Sequence, residues 1–209
     1  MSTGKRITIT DWVHNQLEES VQEAEVCVDA TVGKGKDTLF LLENMETKGR
    51  VIGFDIQKEA LNTAEALLQE HGYMVEHNMK KVDVAERVKG SKSIAQLILD
   101  GHENMDRYIL QDSVDIMMFN LGYLPGGDHA LATRPETTIE AIGKGLSLLK
   151  CGGVMSVCIY SGGDSGFEER NQVLDYLEAL DAKKYTVIVS RFHNKPNHPP
   201  IPVFIRRDA

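Results

Sequence analysis

The sequence lacks any apolar run of membrane-spanning length, and residues 1–11 lack the apolar stretch and cleavage site of a signal peptide. We therefore expect a cytoplasmic protein with no membrane partner. The chain has only three cysteines, Cys27, Cys151 and Cys158, which show no metal-ligand spacing and whose odd number argues against a disulfide framework. Buried, unreactive thiols and no metal site are the expectation.

Internal repeats and low-complexity segments are also absent. With 209 residues, 42% of them hydrophobic and 26% charged, the composition is typical of a globular protein that buries one sizeable core. This predicts a single domain over residues 1–209.

The formal net charge of −8 argues against a nucleic-acid partner, because such binding rests on Lys and Arg that neutralise phosphates. The charge is unevenly distributed, however. Residues 183–209 contain six basic residues and one acid and so carry +5, which leaves −13 for residues 1–182. This basic stretch is either a solvated edge or a surface that faces RNA.

Strand and helix patterns alternate along the chain. The patterns predict helices at residues 10–23, 37–44, 58–71, 137–149 and 167–180, and strands at residues 26–30, 50–55, 95–99, 113–120, 154–160, 185–191 and 202–206. Residues 73–93 show no clear period and are predicted as a helix or an irregular excursion. The alternation predicts an α/β fold with a mostly parallel sheet covered on both faces. The short Pro-rich link at 193–200 suits a hairpin, so at least one end strand should run antiparallel.

A glycine-containing turn follows the first predicted strand. Gly33 and Gly35 can adopt dihedral angles closed to other residues and let a ligand approach the backbone. About twenty residues later Asp55 ends the second strand, where a carboxylate accepts hydrogen bonds from the ribose hydroxyls of an adenosine ligand. The alternatives are a simple tight turn and a helix cap.

The turn lacks the third glycine of a dinucleotide-binding fingerprint, since Thr38 stands in its place. Asp37 lies at the mouth of the loop, where its carboxylate would repel a pyrophosphate. A cationic ligand such as S-adenosylmethionine tolerates that charge. The loop therefore favours S-adenosylmethionine over a nicotinamide dinucleotide.

An asparagine ends the fourth predicted strand and is followed by an aromatic, Pro/Gly-rich turn. Asn120 stands where its amide can hold a nitrogen nucleophile beside a cofactor, with Tyr123 and Pro125 next to it. His102, after the third strand, is either a helix cap or a wall of the adenine pocket. Because strand carboxyl ends line the ligand crevice of open α/β sheets, we favour the pocket.

Several motifs together resemble a known family. They are Asp-Ala-Thr-x-Gly-x-Gly-x-Asp-Thr at residues 29–38, Gly-Phe-Asp-Ile-Gln at 53–57, Gly-His-Glu at 101–103, Phe-Asn-Leu-Gly-Tyr-Leu-Pro-Gly-Gly-Asp at 119–128 and Thr-Arg-Pro-Glu-Thr-Thr at 133–138. The set is similar to the “putative rRNA methylase” family of bacterial class I S-adenosylmethionine-dependent methyltransferases. The characterised activity of that family is tRNA (5-aminomethyl-2-thiouridine) methylation. The resemblance covers nearly the whole chain.

The resemblance implies a Rossmann-like, seven-stranded, mostly parallel methyltransferase sheet with an antiparallel C-terminal strand. It implies methylation of the aminomethyl nitrogen of a wobble uridine in the anticodon region of tRNA, by a homodimer. It assigns cofactor binding to Asp29, Thr31, Gly33, Gly35, Asp37, Thr38, Asp55, Ile56, Gln57, Gly101, His102, Glu103, Asn120 and Leu121. The chain departs from the family at Lys34, where Asn is usual, and in the longer segment 73–93.

The resemblance also suggests roles in the reaction. Asn120 and the backbone carbonyl of Leu121 would accept the hydrogens of the amine and aim its lone pair, so that orientation and desolvation dominate catalysis. Asp128 would take up or relay a proton, and Tyr123 would stack on the uracil. The catalytic candidates are thus Asn120, Asp128 and Tyr123, and the substrate-binding candidates are Tyr123, Pro125, His129, Arg134, Arg191 and Lys195.

Three other functions compete with a tRNA methyltransferase. They are methylation of a small free amine, a non-catalytic adenosylmethionine- or RNA-binding module, and a nicotinamide-dependent oxidoreductase. A small-amine enzyme would need no basic surface, so the position of the basic residues in the fold bears on the choice.

Overall fold

A computed structural model describes residues 7–46, 48–77, 92–121, 135–161 and 166–209 of the chain. Its helices are α1 (Ile9–Gln22), α2 (Lys36–Asn44), α3 (Lys58–Glu70), a 3₁₀ helix (His102–Arg107), α4 (Pro135–Leu148) and α5 (Gly166–Glu178). Its strands are β1 (Val26–Asp29), β2 (Arg50–Asp55), β3 (Met74–Glu76), β4 (Ile94–Leu99), β5 (Val114–Leu121), β6 (Leu149–Ile159), β7 (Tyr185–Val189) and β8 (Ile201–Arg207).

The strands form one sheet of eight in the order β3-β4-β2-β1-β5-β6-β8-β7. All neighbours pair in parallel except β8, which runs antiparallel to both β6 and β7. The predicted fold class and the antiparallel C-terminal strand are confirmed. The expected number of seven strands is wrong by one, because Met74–Glu76 adds an edge strand beside β4.

Residues 73–93 were predicted as a helix or an irregular excursion, and the prediction is wrong at their start. Met74 is 61% exposed and the strand has only three residues, so local sequence carries little signal for it. It forms because the edge of β4 offers unpaired backbone groups. Residues 78–91 lie outside the described residues.

Helix α1 shows how local sequence sets an element. Thr8 precedes its first turn, and the Asp11 N–H donates to Thr8 Oγ1 while the Thr8 N–H donates to Asp11 Oδ2, both at 3.0 Å. This reciprocal capping satisfies two donors that the first turn would otherwise leave free. The apolar side of the helix then buries Val13, Leu17 and Val21. The predicted helix at 10–23 is confirmed within one residue at each end.

Helices cover the sheet on both faces. On one face α1, α2 and α3 pack against residues of β1, β2, β4 and β5. On the other face the 3₁₀ helix, α4 and α5 pack against the alternate residues of the central strands. A parallel sheet needs both faces covered, because successive side chains of a strand point to opposite sides.

The antiparallel β8 brings the C-terminal loop to the carboxyl edge of the parallel strands. Ile201 at the start of β8 pairs with Ile159 at the end of β6, so residues 190–200 lie at that edge. Tyr185 pairs with Arg207, which puts the other ends of β7 and β8 at the opposite edge. The basic stretch is thereby divided between two ends of the sheet.

Two of the three cysteines are buried, and the third is not. Cys27 and Cys158 are buried, and burial raises the pKa of the Cys27 thiol far above its usual range. Cys151 is exposed, so the expectation of a buried thiol is wrong there. It lies in an exposed stretch of β6 next to Gly152, where side chains face water. Within the described residues no helix is long and apolar enough to span a membrane.

Candidate active site

The glycine turn after β1 adopts the conformations that its sequence predicts. Gly33 and Gly35 have φ angles of 50° and 77°, a region that favours glycine. Gly35 immediately precedes α2 and packs against α3, since a Cβ added at Gly35 would lie 2.8 Å from the Cβ of Ala64. The turn therefore brings its backbone close to α3 and aims the first turn of α2 at the crevice. Lys34, between the glycines, is exposed.

Asp55, at the end of β2, is hydrogen-bonded to the glycine turn. Its Oδ2 accepts the Gly33 N–H at 2.9 Å, and its Oδ1 accepts the Gln57 N–H at 2.8 Å. The second bond lies just before α3, so the helix-cap alternative describes part of what this carboxylate does. Each oxygen keeps a further lone pair that can accept a ligand hydroxyl. Ile56 beside it is 56% exposed and offers an apolar surface at the same place.

Asp29 and Thr38 lie beneath the turn, and both are fully buried. Asp29 accepts a hydrogen bond from the Thr38 hydroxyl at 2.6 Å and from the Thr31 N–H at 3.1 Å. Burial and, next, the charge of Asp37 raise the pKa of Asp29. These two side chains hold the turn in shape from below, and only backbone atoms of the turn face the crevice above them.

Asp37, in the first turn of α2, contacts two residues from other parts of the chain. His14 of α1 has its Nε2 2.7 Å from Asp37 Oδ1, and Asn120 of β5 donates from Nδ2 to Asp37 Oδ2 at 3.3 Å. Thr31 Oγ1 also accepts the backbone N–H of Asn120 at 2.8 Å. The asparagine predicted to hold the nucleophile is therefore fixed against the glycine turn by its backbone and by its side chain.

His102 begins the 3₁₀ helix and faces the first strand. Its Nδ1 lies 3.3 Å from the Ala30 carbonyl oxygen, and its ring meets Phe119 edge-on at a centroid distance of 5.8 Å. Burial lowers the pKa of His102, which favours the neutral ring. Gly101 precedes it and leaves room for the carboxylate of Glu103, which a Cβ at Gly101 would strike. These residues form a wall beside the turn.

Sequence reasoning missed His14 and Tyr160. His14 occupies a polar position of an amphipathic helix and has no spacing relation to any motif, so only the packing of α1 on α2 reveals its contact. Tyr160, 38% exposed, follows β6 at the carboxyl edge. Burial, then Cys158 and Asp37, raise its pKa to about 12. An aromatic residue directly after a strand that neighbours β5 is the signal that could have identified it.

Several predicted substrate-side residues lie outside the described residues: Tyr123, Pro125, Asp128, His129 and Arg134. Leu121, the last residue of β5, is buried and pairs with Ile159.

Arg191 and Lys195 lie in the connection between β7 and β8, at the carboxyl edge. Lys195 lies over the ring of Phe192 at 6.0 Å, and Phe192 meets Trp12 of α1 at a centroid distance of 6.3 Å. Trp12 is two residues from His14, so α1 joins this basic connection to the Asp37–Asn120 contact.

A second aromatic and basic group lies where α5 begins. The rings of Phe167 and His198 meet edge-on at 5.2 Å, and the Arg170 guanidinium lies 4.7 Å from the centre of the Phe167 ring. Phe167 is 41% exposed and His198 is exposed. The connection 190–200 thus carries aromatic and basic side chains on both sides.

Comparison with known proteins places this arrangement among methyltransferases. A family model described as “Putative rRNA methylase” matches residues 51–206. The chain is 28% identical over 205 residues to “tRNA (mnm(5)s(2)U34)-methyltransferase, chloroplastic” of Arabidopsis thaliana, with coverage of 95% of this chain and 69% of that protein.

Two solved structures are similar over almost their whole length. The structure of a “putative rRNA-methylase” from Clostridium thermocellum is 41% identical with a TM-score of 0.82, and the match covers 97% of this chain and 99% of that one. A “putative methyltransferase” from Streptococcus mutans, solved in complex with SAH, is 29% identical with a TM-score of 0.78 and the same two coverages. Both matches include the glycine turn, which precedes the segment matched by the family model.

Proposed function

The chain belongs to the “Putative rRNA methylase” family, and from that premise we propose that it methylates tRNA at the aminomethyl nitrogen of wobble 5-aminomethyl-2-thiouridine. It is an S-adenosylmethionine-dependent methyltransferase, as its family and the SAH-bound neighbour indicate. The observation that carries the proposal is the position of Asn120, hydrogen-bonded to both Thr31 and Asp37 beside the glycine turn. The name of the Arabidopsis relative supports the choice of nucleoside.

The residues around the turn fit S-adenosylmethionine. Asp55 has lone pairs free for ribose hydroxyls, while Ile56 and His102 offer an apolar surface and a neutral ring to an adenine. Asp37 and Asp55 carry negative charge that disfavours a pyrophosphate and favours a cationic ligand. When bound, the cofactor supplies an electrophilic methyl group on a positively charged sulfur. The same charges weigh against the nicotinamide-dependent alternative.

Asn120 is the proposed partner of the acceptor amine. Its side-chain oxygen and the backbone carbonyl of Leu121 accept the amine hydrogens and so point the nitrogen lone pair toward the methyl carbon. In the transfer the nitrogen–carbon bond forms and the sulfur–carbon bond breaks, and its electron pair stays on sulfur. The amine must be neutral to react, and we propose Asp128 as the group that takes up or relays its proton.

RNA is favoured over a small free amine by the residues at the carboxyl edge. Arg191 and Lys195 lie there beside Phe192 and Trp12, and phosphates and unpaired bases are bound by basic and aromatic side chains of this kind. The exposed pair Phe167 and His198 extends the same edge. We propose that this edge receives the anticodon loop, with Tyr123 stacking on the target uracil and Pro125, His129 and Arg134 completing the contact.

The test is methyl transfer to tRNA from a strain that lacks the gene. We expect labelled methyl groups from S-adenosylmethionine to enter that tRNA, and nucleoside mass spectrometry to show the aminomethyl nucleoside converted into its methylaminomethyl product. Asn120→Ala should abolish the conversion and retain SAH binding. Incorporation into a metabolite extract but not into tRNA would refute the proposal in favour of a small-amine enzyme. Binding of SAH with no transfer to either would favour a non-catalytic module.

The family resemblance further suggests a homodimer, and we propose that state for this chain. Light scattering at micromolar concentration measures it directly. A monomeric mass would refute it without bearing on the reaction.

A further inference from the structure

We propose that His14 is a positioning residue for methyl transfer, acting through Asp37 to set the orientation of the Asn120 side chain. The inference rests on the proposed function, because Asn120 matters here as the group that aims the acceptor amine. His14 comes from α1, which precedes the first strand and contributes no residue to the motifs of the glycine turn.

The three side chains form a continuous chain of contacts. His14 Nε2 lies 2.7 Å from Asp37 Oδ1, and Asp37 Oδ2 accepts from Asn120 Nδ2 at 3.3 Å. Each oxygen of Asp37 thus serves a different neighbour. Because the Asp37 side chain is only 8% exposed, water reaches it poorly and His14 and Asn120 supply its described side-chain partners.

The chemistry of a carboxylate fixes which end of the asparagine amide faces it. An ionised carboxylate only accepts hydrogen bonds, so it pairs with the NH₂ of Asn120 and is repelled by the carbonyl oxygen. The carbonyl oxygen must then point away from Asp37. That orientation is the one needed to accept a hydrogen from the acceptor amine. Asp37 therefore prevents the amide from turning over, which its similar shape at both ends would otherwise permit.

His14 in turn fixes Asp37. Its ring stacks on Phe40 of α2 at a centroid distance of 3.8 Å and an angle of 4°. Phe40 is three residues beyond Asp37 on the same helix, so the ring is locked beside the carboxylate that it contacts. A neutral ring with hydrogen on Nε2 donates to Oδ1 and leaves Oδ2 directed at Asn120. Without this donor, Asp37 is free to rotate and Asn120 loses its fixed partner.

The test compares two substitutions that separate the donor from the ring. His14→Phe keeps an aromatic ring to stack on Phe40 and removes the donor. His14→Gln removes the ring and keeps an amide N–H at a similar reach from the backbone. We expect kcat for tRNA methylation to fall about 10- to 100-fold in the Phe variant, since small misplacements of a reacting group have effects of this size. The Gln variant should recover most of the loss, while the Kd for SAH stays near that of the wild type in both.

A purely structural role predicts the opposite order, because Phe preserves the packing better than Gln. Full activity in the Phe variant, or a loss that appears in SAH binding instead of kcat, would overturn the inference. If the Phe variant fails to fold, the pair His14→Gln and His14→Leu, which both lack the ring, gives the same comparison. His71→Gln, at the far end of α3, is the control and should leave activity unchanged.

The experiment also separates this inference from the proposed function. If wild-type protein transfers no methyl group to tRNA, the proposed function fails first. If the wild type is active and the Phe variant equals it, only the role of His14 fails.

Discussion

The backbone N–H of Gly33 donates to Asp55 Oδ2 at 2.9 Å, and this bond joins the glycine turn after β1 to the end of β2. The carboxylate thus has two functions: it holds the turn, and it has lone pairs for a ligand. A substitution at Asp55 tests both.

We expect Asp55→Asn to weaken SAH binding about 10- to 100-fold. Hydrogen bonds to a charged group contribute about 1.5–3 kcal/mol, and each 1.4 kcal/mol is about tenfold in Kd. Isothermal titration calorimetry measures the loss. Glu59→Gln removes a nearby charge from the first turn of α3 and serves as the control, with affinity expected to be unchanged. An Asp55 variant that binds within twofold of the wild type would contradict the assignment.

Gly35→Ala should destabilise the protein strongly. The added methyl group meets the Cβ of Ala64 at 2.8 Å and its Cα at 2.9 Å, and the residue would keep a φ of 77°. The positive φ costs about 1–2 kcal/mol and the overpacking about 1–3 kcal/mol more. We expect the free energy of unfolding, measured with urea, to fall by about 2–5 kcal/mol.

Gly152→Ala provides the matched control for that experiment. Gly152 has a φ of 85°, and a Cβ there meets nothing within 4 Å. Only the backbone cost of about 1–2 kcal/mol should remain. Equal losses in the two variants would show that the contact with α3 is unimportant.

Stability should depend on pH through Asp29. Burial, followed by the charge of Asp37, raises the pKa of Asp29 from 3.8 to about 7. The folded protein then binds more protons than the unfolded chain between those values, so this residue's contribution to stability decreases as the pH rises from about 4 to about 7. Asp29→Asn cannot ionise. We expect its free energy of unfolding to improve relative to the wild type over that window, by up to about 1.4 kcal/mol per pH unit.

Urea unfolding across the window measures the trend, and the slope rather than the absolute difference is the test. Asp175→Asn, at an exposed site on α5, should show no such slope. A constant difference between Asp29→Asn and wild type at every pH would mean that Asp29 is ionised throughout.

Contact with tRNA should depend on the basic residues of one edge only. We expect Arg191→Ala with Lys195→Ala to raise the KM for tRNA and to lower the salt dependence of binding by about two units, about one per phosphate contact. The Kd for SAH should not change. Lys183→Ala with Lys184→Ala removes the same charge from the same stretch of sequence at the opposite edge, and should have no effect. Equal effects of both pairs would indicate nonspecific attraction.

The sequence predicted the parts of the site that local pattern determines. The strand at 50–55 and its terminal aspartate agree with β2 and Asp55 because a buried apolar run ends there at a charged residue. The positive φ values of Gly33 and Gly35 agree with a turn that needs glycine. The position of Asn120 followed from the end of β5.

Features that depend on distant contacts could not be predicted. The strand Met74–Glu76 is recognisable only by its pairing with β4, and the contact of His14 with Asp37 only by the packing of two helices. The basic stretch looks continuous in the sequence. The antiparallel β8 separates it, so Arg206 pairs with Asp208 and Arg207 with Asp112 at the edge away from the site.

The order of the last three strands has a consequence for biosynthesis. Residues 201–207 form an interior strand between β6 and β7 although they are made almost last. Until they leave the ribosome, β6 has an open edge and β7 has no neighbour to pair with, and such edges recruit other chains. A nascent chain or a product truncated before residue 201 should therefore aggregate, since the loop that faces the site and the closure of the sheet are completed by the same final segment.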